Sequence, residues 1–260
     1  MINRAQAIAF VQANGNAREL ARLVYLTEGK RPSPDVIAQF AASQRDDGGW
    51  APFWAEISSV DATCYQLAQL EQLGLGVSEP VVAQALTFLR QRRQVNGAWE
   101  EETVVADQAP PWAKPGNLAA MLYLTANCGF WLAVLGNEGA LLMPTTQLLR
   151  QHLALDGALP SFLHTHWLAA ALWLSLGEME PATAVFNYLT AHLNKLSANN
   201  LTWLLTAVQA TGRPVAHPFL TQARDKLVGL QMENGRWPSD DAMERDVHVT
   251  LEALRVFAST

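Results

Sequence analysis

The chain is short of charge. Only 16% of its 260 residues are Asp, Glu, Lys or Arg, and just 18 are Lys or Arg. The formal net charge is −6 and no basic run occurs, which argues against a nucleic-acid partner. Cysteine is scarce too. Cys64 and Cys128 have no framework spacing and read as free thiols in a reducing compartment, so a cytoplasmic location is expected. The N-terminus, MINRAQAIAFVQANG, lacks the apolar length and the charge of a signal peptide and reads as a helix entered at Asn3. Alternating β-branched runs are nearly absent. So are a Gly-rich phosphate loop, a thioester motif and a Gly-x-Ser-x-Gly elbow.

Apolar residues are plentiful, at 50%. Residues 118–136 are long and apolar enough to suggest a membrane span. Thr125, Asn127 and Gly129 interrupt the middle, and no Lys or Arg cluster follows. A buried helix is the preferred reading. A span, or a surface dipping into a membrane, are its alternatives.

Helical periodicity dominates, and Gly, Pro and Asn divide it into pairs. The pairs are 3–14 with 16–28, 34–45 with 59–74, 79–93 with 115–135, 138–153 with 162–176, 180–195 with 199–211, and 217–232 with 246–258. Five second helices close on Gly29, Gly74, Gly136, Gly177 and Gly212, each read as a left-handed helix stop. Pro34, Pro80, Pro181 and Pro218 stand near the starts of first helices. First helices carry a wet face, whereas second helices such as THWLAAALWLSLG are apolar nearly all round. An inner ring inside an outer ring follows. The expected fold is all-α, an α/α toroid of six hairpins forming an (α/α)6 barrel, as a single domain over 1–260. An open solenoid is its rival, but no polar capping repeat occurs.

A phrase recurs between paired helices. Gln44, Gly48 and Trp50 fit Gln-x-x-x-Gly-x-Trp, as do Gln231, Gly235 and Trp237. Thr63 and Thr250 each follow their Trp by thirteen residues. The phrase is worn at Arg93, Gly97 and Trp99, and scarcely legible around Gly157. The Gln serves free backbone groups at a neighbouring helix end, the Gly permits the turn, and the Trp buries a large apolar surface. These are expected to be structural staples between hairpins.

Those residues resemble the QW repeats of the terpenoid cyclase and protein prenyltransferase superfamily, over essentially the whole chain. Squalene and oxidosqualene cyclases have two such barrels, and this chain holds one. The resemblance implies a long apolar, isoprenoid-like ligand in a central cavity. In class II terpenoid cyclases the proton comes from the middle Asp of Asp-x-Asp-Asp-Thr-Ala at the start of an inner helix. The matching stretch here runs from Ser59 to Cys64 and places Asp61 at the acid's position, with Ser59 and Ala62 replacing its acidic neighbours. Asp61 is therefore the candidate catalytic residue. Its plainer role is to sit at a helix N-terminus, where the dipole favours a carboxylate. Prenyltransferase β-subunits work with a helical partner subunit, which stays open here. Their zinc pattern does not align, since Asp61 and Cys64 are three apart and Val249 stands in the histidine's place. No metal and no cofactor are expected.

Thirteen residues before each closing Gly lie Asn16, Asp61, Tyr123, His164 and Asn199. His248 falls at the same level in the sixth hairpin. Equal phase would bring these side chains to one rim of the cavity, a polar ring above an apolar well. For Asn and Asp the alternative is helix capping. Trp131, Trp167 and Trp203 also fall on inner helices, and their faces suit a carbocation. For them the alternative is packing. The substrate-binding candidates are thus Asn16, Tyr123, Trp131, His164, Trp167, Asn199, Trp203 and His248. Asp240, Asp241 and Glu244 loosely imitate a magnesium motif but read as a solvated turn. The long loop from Glu100 to Lys114, with Trp112, is a candidate lid.

Three functions fit these features. One is a terpenoid-cyclase-like or prenyl-processing enzyme that starts cyclisation with an acid. The second is a non-catalytic toroid that binds or carries an apolar molecule, with peripheral membrane contact open. The third is an interaction module whose centre is filled by its own side chains.

Overall fold

The computed structural model describes residues 1–258, so Ser259 and Thr260 of the expected domain lie outside the described residues. The outer helices are α1 (Arg4–Asn14), α3 (Pro34–Ser43), α5 (Pro80–Arg92), α7 (Met143–His152), α9 (Met179–His192) and α11 (Pro218–Gly229). The inner helices are α2 (Ala17–Glu28), α4 (Val60–Glu71), α6 (Leu118–Gly136), α8 (Leu163–Ser175), α10 (Ala198–Ala210) and α12 (Asp246–Val256). No strand occurs among the described residues. Pro34, Pro80 and Pro218 take the first helical position, where a missing N–H leaves no bond unmade.

The helices close into an α/α toroid. Within the inner ring α4 packs on α6, α6 on α8, α8 on α10, α10 on α12, and α12 on α2. Arg22 of α2 bonds Gln69 of α4 across the remaining joint. The outer helix α1 packs on the inner helix α12, so the start of the chain meets its end. That contact separates a ring from an open solenoid. Gln231 ties the same joint, donating from Nε2 to the Asn3 carbonyl at 3.1 Å. Its Oε1 accepts the Asn3 backbone N–H at 2.7 Å.

The repeated phrase makes the same bonds wherever it is intact. Gln44 Nε2 donates to the Gly48 carbonyl at 2.8 Å and to Val81 of the next outer helix at 2.9 Å. The indole N–H returns to the preceding outer helix: Trp50 to Phe40 at 3.3 Å, Trp99 to Leu89 and Trp237 to Leu227 at 2.7 Å. The Trp backbone N–H donates to a Thr hydroxyl on the following inner helix, at 3.2 Å for Trp50 and Thr63 and 3.0 Å for Trp237 and Thr250. In the worn copy Trp99 finds Thr125 at 3.1 Å, 26 residues on, because the long loop intervenes.

The glycine is the strictest member. Gly48, Gly97, Gly157 and Gly235 have φ of 86°, 89°, 84° and 87°, a region side chains rarely adopt. A Cβ there would lie 2.5, 2.5, 2.0 and 2.4 Å from backbone of the next outer helix. So the copy around Gly157 keeps its geometry after losing its Trp. Leu159 stands in, and its N–H donates to His166 Nε2 at 2.9 Å instead of to a Thr.

Two expectations change. Gly136 is still helical, and the left-handed stop of α6 is Asn137, at φ 53°. The inner helices are not all apolar. Only Arg22 and Leu23 of α2 are buried, because α2 shields a charged cluster instead of filling the core. The long apolar segment is α6, buried without a break from 122 to 132 by the protein itself. At Gly129 a Cβ would sit 2.8 Å from Leu172, so the glycine lets α8 close on α6.

Trp237 is fully buried at the joint where the two chain ends meet. Trp237→Ala is expected to lower unfolding free energy by ~3–5 kcal/mol in urea titration. Thr250→Val, which leaves the Trp237 N–H without its acceptor, should cost ~1–3 kcal/mol. Wild-type stability in both variants would refute the staple.

Candidate active site

The toroid encloses a hollow of about 470 Å³. Its walls come from α4, α6, α10 and α12, with the loops around 51–54, Trp112 and 241–245 at its edge. That volume falls within the ~300–1,000 Å³ of ordinary ligand sites. Asp61, Tyr123, Trp131, Asn199, Trp203 and His248 all line it.

Asp61 sits in the first turn of α4. Ser59 caps that helix, its hydroxyl accepting the Ala62 N–H at 3.1 Å. Asp61 Oδ1 accepts the Tyr123 hydroxyl at 2.7 Å, and Oδ2 accepts the Trp112 indole N–H at 3.1 Å. Asn127 Nδ2 in turn donates to the Tyr123 oxygen at 3.3 Å. Burial pushes the Asp61 carboxyl above its ordinary value, and the bonds from Tyr123 and Trp112 pull it back only in part. The result is an acid inclined to hold its proton, with two donors already aimed at the anion it would leave.

A second carboxyl reaches this spot from another hairpin. Glu101, 6% exposed, accepts the Ser59 hydroxyl at 2.6 Å, the Val60 N–H at 3.2 Å and the Asp61 N–H at 3.1 Å. It therefore occupies the free N–H groups of α4. Those groups would otherwise favour an ionised Asp61 through the helix dipole. Burial lifts Glu101 to about 7, with the Asp61 charge adding to the rise and the Ser59 and backbone bonds opposing it. The Cys64 and Cys128 sulfurs lie 3.7 Å apart behind Asp61, both as buried thiols.

Three predicted lining residues do not reach the hollow. Asn16 is exposed and caps α2, its side chain accepting the Arg18 and Glu19 N–H groups at 3.0 Å. His164 is packed between the rings of Phe162 and Trp203, at 5.4 Å from each, so Trp203 screens it. Trp167 lies at the back of the same stack, 5.6 Å from Trp203 and 1% exposed. His164 is pushed down to about 4 by burial. Tyr123, by contrast, extends from the second turn of α6 to meet Asp61, and stacks edge-on with His164 at 4.5 Å. Asp241 of the acidic loop faces Arg245 at 3.7 Å.

Farther along the wall lies a charged cluster that the repeat pattern did not indicate. Arg22, 3% exposed, donates from Nη1 to Gln69 Oε1 at 3.0 Å and from Nη2 to Glu252 at 3.2 Å. The same Nη1 meets His248 Nδ1 at 3.1 Å. Arg255 clasps Glu71 through two bonds, at 2.6 and 2.5 Å. Glu101, Arg22 and Gln69 were missed as site residues, and Trp112 was expected only as part of a candidate lid. Glu101 and Trp112 stand in the long loop, whose length was the one signal available. Arg22 had a weaker one, a charge set among Leu20, Ala21, Leu23 and Val24 of an inner helix.

Glu101 gives a stability test. Its unfolded value is 4.5 and its folded value about 7, so between them the folded chain holds more protons than the unfolded one. The stability it contributes is complete below pH 4.5 and is lost as pH rises through about 7. His164 and His248, held at about 4 by burial, have the opposite slope. The difference between Glu101→Gln and wild type isolates the carboxyl. That difference is expected to move in the variant's favour as thermal melts run from acid to alkaline pH. A pH-independent difference would contradict this assignment.

No protein-family model matches the chain, and no curated protein matches its sequence. Among solved structures it is similar to the apo form of the type II terpene cyclase MstE from Scytonema, at 14% identity and a TM-score of 0.61. That match covers 98% of this chain and 96% of the other. A variant of the same enzyme bound to its substrate, geranylgeranyl dihydroxybenzoate, matches at 14% identity and 0.60, over 98% and 95%. A second variant, bound to its product merosterolic acid A, matches at 13% and 0.57, over 97% and 94%. At such identities the likeness is one of fold, and it extends over nearly the whole of both chains.

Proposed function

We propose that this protein is a terpenoid-cyclase-like enzyme that starts cyclisation of a prenyl chain by protonating its terminal alkene from Asp61. The observation that carries the reading is the Asp61 carboxyl itself. It lines an internal hollow, its proton is favoured by burial, and Tyr123 and Trp112 are in place to receive the charge left behind.

In the first step the Asp61 O–H bond breaks and a C–H bond forms with the alkene π pair. The carbocation lies in the hollow, and the carboxylate is held by two hydrogen bonds. The next alkene of the chain attacks the cation and forms a ring. Trp131, Trp203, Tyr123 and Phe130 line the same hollow, and each aromatic face offers a cation ~0.5–2 kcal/mol. The cascade ends when the last cation loses a proton to water, or bonds to a water oxygen that then releases a proton to solvent, and Asp61 regains a proton from solvent. The chemistry is Brønsted acid throughout and calls on no metal or cofactor.

The fold likeness supports an isoprenoid-like ligand, because the type II cyclase it resembles is bound to a geranylgeranyl compound. The open hollow speaks against a centre filled by side chains. Phe53, 90% exposed, and Trp112 stand at its edge, where an apolar substrate would arrive from a lipid surface. Cys64 and Cys128, close but unbridged, fit a cytoplasmic location.

With a polyprenyl substrate, Asp61→Asn is expected to lower product formation by ~10²–10⁴-fold or more. Tyr123→Phe, which removes one of the two donors, should cost roughly 10²–10³-fold. Circular dichroism and melting temperature should stay near wild type in both. Undiminished product from the Asp61 variant would rule it out as the acid. Bound ligand without product in the wild type would make the hollow a carrier's site.

A further inference from the structure

The chain has only two cysteines, and the fold brings them together. Cys64 of α4 and Cys128 of α6 are 64 residues apart in sequence, yet their sulfurs meet at 3.7 Å, within reach of an S–H···S bond. They lie where α4 packs on α6, at 1% and 0% exposure. Cys64 stands about one turn beyond Asp61 on α4. Cys128 directly follows Asn127, whose side chain donates to the Tyr123 oxygen. The sulfur contact and the bond from Tyr123 to Asp61 at 2.7 Å therefore span the same pair of helices. Neither thiol is used in the proton transfer.

Access is one-sided. Cys64 lines the hollow and Cys128 does not, so a small oxidant entering the hollow meets Cys64 first. Burial raises both thiols above their ordinary values. The contact between them offsets part of that rise at Cys64 and adds to it at Cys128, so Cys64 is the first to become a thiolate. Raised thiols react slowly, so the pair stays reduced at ordinary oxidant levels and responds to a sustained excess. With hydrogen peroxide the steps balance. The Cys64 thiolate attacks one peroxide oxygen; an S–O bond forms, the O–O bond breaks, and hydroxide leaves with the thiol's proton as water. The Cys128 sulfur then attacks the Cys64 sulfur; the S–S bond forms, the S–O bond breaks, and a second water carries off the Cys128 proton. The two thiols lose two electrons, and the peroxide is reduced to two waters. A disulfide needs its sulfurs about 2.05 Å apart. Closing the gap from 3.7 Å shifts α4 against α6 just where Asp61 meets Tyr123.

We propose that Cys64 and Cys128 are an oxidation site, a dithiol that a peroxide entering the hollow converts to a disulfide, and that this disulfide switches the acid off by displacing Tyr123 from Asp61. The loss of activity rests on the cyclase reading of Asp61. The oxidation chemistry does not.

The test treats wild-type protein with hydrogen peroxide and counts thiols in denaturant, before and after dithiothreitol. Both thiols should disappear together and return on reduction. Mass spectrometry without reductant should find the Cys64 and Cys128 peptides joined within one chain. Turnover of a polyprenyl substrate should fall roughly 10- to 100-fold on oxidation and recover with dithiothreitol, since ~1 Å of misplacement at a reacting centre costs on the order of 10²-fold. Cys128→Ala should keep its untreated activity, form no cross-link and keep its activity after peroxide. Should that variant fail to fold, Cys128→Ser, closer in size, takes its place. The proposal is overturned if both thiols survive treatment, or if the disulfide forms and turnover is unchanged. An equal loss of activity in peroxide-treated Cys128→Ala would also overturn it, because the damage would then not need the disulfide. A disulfide formed by peroxide in protein that shows no turnover beforehand would sink the cyclase reading and leave the oxidation site standing.

Discussion

In four of the six hairpins the fold hangs on how closely the loop between the two helices approaches the next outer helix. The contact is backbone against backbone, with no room for a Cβ at Gly48, Gly97, Gly157 or Gly235. A glycine there fixes where the loop sits. The loop then fixes the inner helix that follows, through the bond from the residue two after the glycine to Thr63, Thr125, His166 or Thr250. Repeated around the ring, that chain of constraints sets the phase of the inner helices. It also explains why the last copy must serve the first helix: Gly235 packs on the backbone of Gln6 and Ala7, and Gln231 bonds Asn3. Ring closure is therefore a property of the repeat and needs no separate device.

The fold was legible because its signals are local and repeat. Hairpin boundaries come from helix stops and proline starts, and the closing joint from a phrase at both ends of the chain. The site was legible only where it follows the same register. Asp61 and His248 sit at matching levels and do face one hollow. Register failed at Asn16, whose side chain is used up in capping, and at His164, which aromatic stacking withdraws from the wall. It was silent about Glu101 and Trp112, because an inserted loop has no counterpart in other hairpins to align with. Arg22 was missed for a different reason. Its partners lie 47, 226 and 230 residues away, and no spacing rule connects them.

Asp61 shows how far a carboxyl's surroundings can depart from what its place on a helix implies. A lone aspartate in the first turn of a helix is ordinarily an ionised one, since free N–H groups and the dipole favour the anion. Here those N–H groups are already taken by Glu101. Asp61 is left with burial, which favours its proton, and with Tyr123 and Trp112, which favour its anion. The balance leans toward the neutral acid but leaves the anion a place to form. A carboxyl with burial alone would hold its proton too firmly to give it up. One with the helix N-terminus alone would have no proton to give.

The same hollow carries an opposite arrangement at its other end. Around Arg22 the charges are buried, yet each has its counter-ion, so the region is polar without being a source or sink of protons. Buried ion pairs seldom add to stability over apolar packing, and unpartnered donors such as Gln69 Nε2 subtract from it. The apolar core of six inner helices can bear that cost. The cluster's central arginine sits on α2, the one inner helix with almost no apolar burial, where a charge displaces the least core. A toroid built only for stability would fill this joint with leucine. The polar residues that this joint leaves on the wall, Gln69, His248 and Glu252, share the hollow with Asp61 and with the rings of Trp131 and Trp203.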